Sequence, residues 1–400
     1  MRGKRDLLLV CGGTTVSAFG TAVTLIILLL HAQKISSLAV AGVLVASMVP
    51  VALGAPLAGL VVDRLPNRRL LIGALLLQGL AIAGTAAALD HLPVVLGLLV
   101  VQGCGVAVAG PAASALVPKI AGEDAATQGY AWLAMGRTVG LLAGSAGGAL
   151  LIAAVDVRGA LVVDSLTFAV EALALGLVRA ERDPRTEPSE GTERGGALTG
   201  LTYLKADRTL LVAVVGMSLV IGCIVLINVA DPFFVVDVLH GDALTMGSLQ
   251  ACWVLGMLAG ARIAARARTE RGLVLGLGIG GCTIGLAVCV PAAFPTGWLT
   301  AVGWFVGGGS NTIQNVTQQG LVRLRTPDAL RGRVFAASSA LIITANLVGT
   351  VVSAGVVALL GPRWTFAIGG LGALLIGLAT LGMLRTAKSP DVESGLVAKQ

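Results

Sequence analysis

Charge is what this sequence lacks. Only 12% of its 400 residues are charged, against about 25% in a soluble protein of ordinary composition. Aromatic residues make up 4%, and there are three histidines, His31, His91 and His240. The histidines fall at separate connectors with no partner acid or cysteine nearby, which argues against a membrane-embedded enzyme. Six cysteines (Cys11, Cys104, Cys223, Cys252, Cys282 and Cys289) stand singly inside apolar runs. They have no metal-ligand spacing and read as small core residues rather than disulfides. No Gly-rich loop leads into a Lys-Ser/Thr pair, so nothing points to ATP as the energy source. No cofactor, metal or nucleic-acid partner is implied, even with a net charge of +7.

What fills the chain is 56% hydrophobic residues, in runs near the ~20 residues that cross a bilayer as helix. The first run, "LLLVCGGTTVSAFGTAVTLIILLL", follows Arg2, Lys4 and Arg5. It is too long for a signal peptide and reads as a first span. The pattern predicts an all-α membrane protein of about twelve transmembrane helices. They are expected near 7–30, 38–62, 70–89, 94–118, 128–154, 159–179, 208–231, 244–265, 272–292, 298–322, 334–360 and 364–384. Connectors alternate in charge: roughly 24 of the 28 Lys and Arg fall on one side, which makes that side cytoplasmic, with both termini there. The Arg-rich, Ala/Gly/Val-dominated composition suggests a bacterial cytoplasmic membrane. "AERDPRTEPSEGTERGG" (180–196), rich in Pro, Gly and charge, reads as a linker between two halves. The expected organisation is a six-helix half over 1–179, a cytoplasmic linker over 180–207, a second half over 208–384 and a tail over 385–400. A short surface helix is expected just before span seven.

One segment departs from its greasy surroundings. "GGGSNTIQNVTQQG" (307–320) places Asn311, Gln314, Asn315 and Gln318 at i, i+3, i+4, i+7, on one face of a helix. Together with Thr21, Gln102, Asn228 and Trp253, these are the candidates for a central substrate cavity. Amides both donate and accept, so they suit a neutral or weakly charged substrate. The alternative is that they tie helices together across the bilayer. Ionisable groups at bilayer depth are few: Arg137, Asp164 and Glu171, with Asp231 near an outer end. Arg137 and Glu171 each lie about 12–13 Å from the basic end by helical rise, so they are expected to pair, either structurally or for ion coupling. Asp164 reads as a helix-end anchor and Asp231 as a solvated carboxylate at a loop edge, with an entry carboxylate near the outer mouth as the alternative.

"GLVVDRLPNRR" (59–69) resembles the loop between the second and third spans of major facilitator superfamily transporters. The resemblance implies close helix packing at Gly59, a gate carboxylate at Asp63 and cytoplasmic anchors at Arg64, Arg68 and Arg69. "GPAASALVPKI" (110–120), "DSLTFAVEAL" (164–173) and "QQGLVRLRTPDALRGRV" (318–334, with Arg331 and Arg333) are similar to the macrolide and siderophore efflux branch. In "TPDALRGRV", Thr326 is the expected N-cap and Pro327 the first helical residue. Three departures stand out. Leu99 sits where span four often has Arg, Thr21 follows "SAFG" where an acid is common, and "AGSAGGAL" lacks the usual Pro. The implied function is export of a small amphiphilic compound by alternating access, coupled to protons, by a monomer embedded in the lipid bilayer. An uptake symporter and a non-transporting membrane sensor are the alternatives.

Overall fold

The computed structural model describes residues 2–122, 125–178, 196–267 and 269–386. Among these it is all-helical, with no strand. In chain order the helices are α1 (Arg2–Gln33), α2 (Ser37–Arg64), α3 (Asn67–Ala87), α4 (Leu92–Ala121), α5 (Ala126–Leu177) and α6 (Gly196–Ala206). There follow α7 (Arg208–Phe233), α8 (Ala243–Ala264), α9 (Glu270–Ala293), α10 (Gly297–Arg325) and α11 (Asp328–Thr386). A π-helical turn, Phe234–Val238, extends α7. Among the described residues, nine of these helices are long and apolar enough to cross a membrane. The long helix outside that set is α10, because its amides lower its hydropathy. α6 is the short helix expected before span seven, and it packs against the start of α11, where Gly200 meets the Arg333 carbonyl. Most of the segment expected as a linker, and the tail beyond Thr386, lie outside the described residues.

α5 and α11 each contain two spans joined at a kink, at Asp156 (φ 62°) and Gly361 (φ 78°). The two kinks solve one problem with different chemistry. Asp156 takes the left-handed conformation and its Oδ1 accepts the Gly159 amide at 2.7 Å, capping the second arm. Gly361 takes it without a Cβ penalty, and Pro362 then opens the second arm. Two residues past each kink an arginine returns to the end of the third helix of its group. Arg158 pairs with Asp90, and Arg363 donates to the carbonyls of Ala292 (2.8 Å) and Ala293 (2.9 Å). The same interval separates the kinks and the arginines, so the fold repeats where residue similarity is poor.

The helices pack as two groups, α1–α5 and α7–α11. Within each group, glycine lets backbones touch. A Cβ at Gly140 or Gly144 of α5 would lie 2.1 or 2.2 Å from a carbonyl oxygen of α1, and one at Gly256 of α8 would lie 1.9 Å from the Phe305 carbonyl of α10. Such small-residue seams replace the hydrophobic drive that lipid cannot supply. The missing proline of "AGSAGGAL" thus coincides with a close α1–α5 approach.

The groups join at the end away from the arginine-rich connectors, called here the distal end. There Ser37 donates to the Ala354 carbonyl (2.8 Å), Gln33 reaches Asp237 (3.5 Å), and Gly247 lies against the Ser145 carbonyl. One buried apolar cluster runs across both groups and includes Ile26, Val40, Phe234, Met246 and Phe366. At the opposite, basic end, the buried residues of the second group form their own cluster, which among the described residues has no member from the first.

Candidate functional site

The amides of α10 divide between two tasks. Gln314, 2% exposed, is turned onto α9: it fits over Gly280 and Gly281, and its Nε2 donates to the Leu277 carbonyl at 3.3 Å. It is a helix tie, as are Ser310 with Thr283 (2.7 Å) and Thr317 over Gly276. Gly308 and Gly309 face α8. Asn311 and Asn315 lie on the α10 face between those two contacts. Both are half-buried, and among the described residues their side chains bond only each other: Asn315 Nδ2 donates to the Asn311 carbonyl (2.8 Å) and Oδ1 (3.3 Å). Gln318 is buried, with its Nε2 unpartnered among the described residues.

The other cavity candidates differ in exposure. Asn228 is exposed and Gln102 half-buried, and neither makes a side-chain hydrogen bond among the described residues. Thr21 is exposed and returns its hydroxyl to the Ser17 carbonyl (3.0 Å). Trp253 packs its ring on Gly307 and its backbone on Gly308, so it supports α10 rather than standing free. Trp304 is buried in a stack with Phe366, which in turn stacks on Phe234, with centroids 5.6 and 4.2 Å apart.

The intramembrane acids required correction. Arg137 and Glu171 do not come within the 4.0 Å of an ion pair. Arg137 is exposed and acts on Glu171 only through its charge. The partner of Glu171 is instead Thr14 of α1, whose hydroxyl donates to Oε1 at 2.7 Å. Helical rise fixes the level of the two residues, but the face nearest Glu171 belongs to α1. Asp164 is not a helix-end anchor: it is 1% exposed, against Gly20, and accepts from Thr24 at 2.5 Å and Thr167 at 3.2 Å. Asp231 is not a solvated loop residue. It is 4% exposed, Gln250 of α8 donates to its Oδ2 at 3.1 Å, and its Oδ1 has no partner among the described residues. Pro232 suggested a loop edge, but α7 continues through it.

At the basic end, Arg68 donates to the Leu175 carbonyl (3.0 Å) and to that of Gly176, closing the C-terminus of α5. The side chains of Gly59, Asp63 and Arg64 lie outside the described residues. Arg69 and Arg333 are engaged in further contacts, and Arg331 pairs with Asp328 at 2.5 Å and donates to the Arg323 carbonyl. Thr326 does not cap α11: it ends α10, its hydroxyl is buried without a partner among the described residues, and α11 begins at Asp328. A signal missed in the sequence is Arg325, which bridges Asp207 (3.0 Å) and Glu270 (2.5 Å), joining α10 to the starts of α7 and α9. Burial works against its charge, and the two carboxylates outweigh that and hold it protonated. At the distal end, Asp242 caps α8, and the Thr245 amide bonded to its carboxylate draws its pKa below the usual value.

Solved structures of transporters share this architecture. The nucleoside transporter NupG superposes with a TM-score of 0.77 at 14% identity, covering 97% of this chain and 100% of its own. The POT family transporter PepTSo gives 0.75 at 12%, covering 95% and 98%. A bacterial homolog of the human lysosomal transporter Spinster, inward-facing and unoccupied, gives 0.66 at 15%, covering 95% of each. Among curated protein sequences none matches this chain. The family model described as Major Facilitator Superfamily matches residues 8–309, and with the fold above this chain belongs to that superfamily of membrane transporters.

Proposed function

We propose that this transporter exports a small, amphiphilic, neutral or weakly charged organic compound in exchange for protons, by alternating access of the two helix groups. The observation that carries the reading is the pair Asn311 and Asn315. They are polar, half-buried at mid-span and bonded to no other helix among the described residues, with Asn228 and Gln102 also free of internal partners there. Polar groups at this depth that do not tie helices are available to a substrate. Proton exchange is the energy source suggested by acids inside the spans, since the sequence has no phosphate-binding loop to use ATP. The basic connectors support termini on the cytoplasmic side, and the Arg-rich, Ala/Gly/Val-dominated composition supports a bacterial cytoplasmic membrane.

The test is ethidium and Hoechst 33342 accumulation in inverted vesicles. Accumulation that collapses with a protonophore is the expected result. Accumulation indifferent to the protonophore overturns proton exchange, and none at all overturns export of such compounds. A second reading, uptake of a neutral polar metabolite such as a nucleoside, draws on the same uncharged amides and on the fold likeness to NupG. Uridine uptake by intact cells in place of dye export would favour it.

A further inference from the structure

We propose that Asp231 is the proton-binding site of the transport cycle, taking its proton from the distal side when that end is open, carrying it through closure and releasing it toward the basic end. The inference deepens the proton-coupled reading above and rests on it for its role in transport, though not for its chemistry.

Three observations converge on this carboxyl. First, it is 4% exposed with one hydrogen-bond partner, Gln250, and one oxygen, Oδ1, that meets no donor among the described residues. An ionised carboxylate in that setting would carry a full charge with a single neutral donor, at a cost of several kcal/mol. A neutral acid needs far less: its carbonyl oxygen accepts from Gln250, and only a hydroxyl is left unmet. Second, no cation among the described residues pairs with it. Gln250 is what α8 presents, and the distal end of α1 carries His31 and Lys34, which line a separate groove of about 710 Å³ with Asp242. Asp237, on the π-helical turn, is engaged with Gln33. The geometry therefore assigns Asp231 a proton, where the other buried acids, Asp164 and Glu171, are met by hydroxyl donors.

Third, its position couples it to the conformational change. Asn228, exposed and unpartnered among the described residues, lies one turn before it on α7. Gln250 lies one turn after Gly247, which rests on the Ser145 carbonyl where the two groups meet. Beyond Asp231 the helix passes through Pro232 into the π-helical turn, a local irregularity of the kind found at functional sites. Parting the groups at the distal end separates α8 from α5 and brings water to the Asp231–Gln250 contact. The proton then exchanges with bulk water on that side. After closure it is carried on the carboxyl, and it leaves through the cavity past Asn228.

Two readouts that use only protons test this. Purified protein in nanodiscs is titrated by infrared difference spectroscopy in the protonated-carboxyl region, comparing wild type with Asp231→Asn. In parallel, nitroxides at positions 35 and 244, in a background without native cysteines, report the distal separation against pH. Wild type is expected to show a carboxyl band that titrates together with a growing population of long distances. Asp231→Asn should lose that band and stay at the short distance at every pH, whereas Asp164→Asn keeps the pH-dependent distance. An unaltered band or an unaltered pH-dependent distance in Asp231→Asn overturns the proposal. If that variant does not fold, Asp231→Glu decides: a shifted midpoint supports the site, and an unchanged one overturns it. Wild type that moves no dye would defeat the export reading and leave these two measurements standing.

Discussion

The two helix groups share a scaffold and differ in where they keep their buried acids. In the first group Asp164 and Glu171 lie two turns apart on the second arm of α5, and both face hydroxyls of α1, Thr24 and Thr14. That seam is held by glycine contacts that leave no slack, so the acids are fastened inside one rigid body. In the second group the equivalent arm of α11 carries no acid at those depths, and its acid is Asp231, on α7 beside the junction with the other group. The lesson is that burial alone does not mark a coupling residue. Both oxygens of Asp164 meet hydroxyls, whereas one oxygen of Asp231 meets no donor among the described residues, the difference on which the proposed proton site rests.

The comparison breaks most visibly at the glycine seams. Gly144→Val and Gly256→Val each force a side chain into a carbonyl oxygen of the neighbouring helix, at a cost of ~3 kcal/mol or more. Neither variant is expected to give a monodisperse peak on size-exclusion chromatography; normal elution of either would show that its seam yields. Next, Thr24→Val leaves Asp164 without its main donor, a loss of about 1–3 kcal/mol that a thermal-shift assay reads as a lowered Tm. Its transport should survive in proportion to folded protein, since both residues belong to one rigid body.

The amide stripe separates in the same way. Gln314→Leu should move stability more than transport, because Gln314 ties α10 to α9. Asn311→Ala with Asn315→Ala should cut dye export at least about tenfold while Tm moves little, as expected where polar groups at bilayer depth serve substrate rather than packing. Equal effects of the two changes on both measurements would erase the division of tasks. A smaller contrast lies at the kinks. Arg363→Ala loses two carbonyl contacts and should cost about 1–2 kcal/mol, whereas Arg158→Ala loses an exposed pair worth at most about 1 kcal/mol. The smallest effect belongs to Asp242. Its carboxylate is favoured in the folded state, so its contribution holds above the ordinary aspartate range and fades as pH falls through its lowered value. Asp242→Asn should therefore flatten the acid limb of the Tm–pH curve slightly.

Much of the fold was legible in the residues alone. Spans closed by charged connectors show themselves through hydropathy, because the bilayer requires ~20 apolar residues of helix. The boundaries expected between spans at 154–159 and 360–364 fall at tight turns, where Asp156 and Gly361 leave helical geometry between two helices. The candidate site was legible only in outline. Periodicity placed four amides on one face of α10, but a face about 100° wide touches two neighbours and a gap at once. Gln314 went to α9 while Asn311 and Asn315 kept to the gap. For Arg137 and Glu171, rise per residue set the level but not the azimuth, and the nearer hydroxyl of α1 took the contact.

By itself the sequence determined a polytopic helical membrane protein, the basic sidedness of its connectors and the presence of a few costly polar groups within the spans. These follow from local quantities, hydropathy and helical period, that need no knowledge of neighbours. Only the tertiary structure decided which of those groups are satisfied. A hydrogen bond between different helices, such as Thr24 with Asp164 or Gln250 with Asp231, depends on how glycine seams and kinks rotate one helix against another. That rotation separated Asp164, whose oxygens meet hydroxyls, from Asp231, whose Oδ1 meets no donor among the described residues.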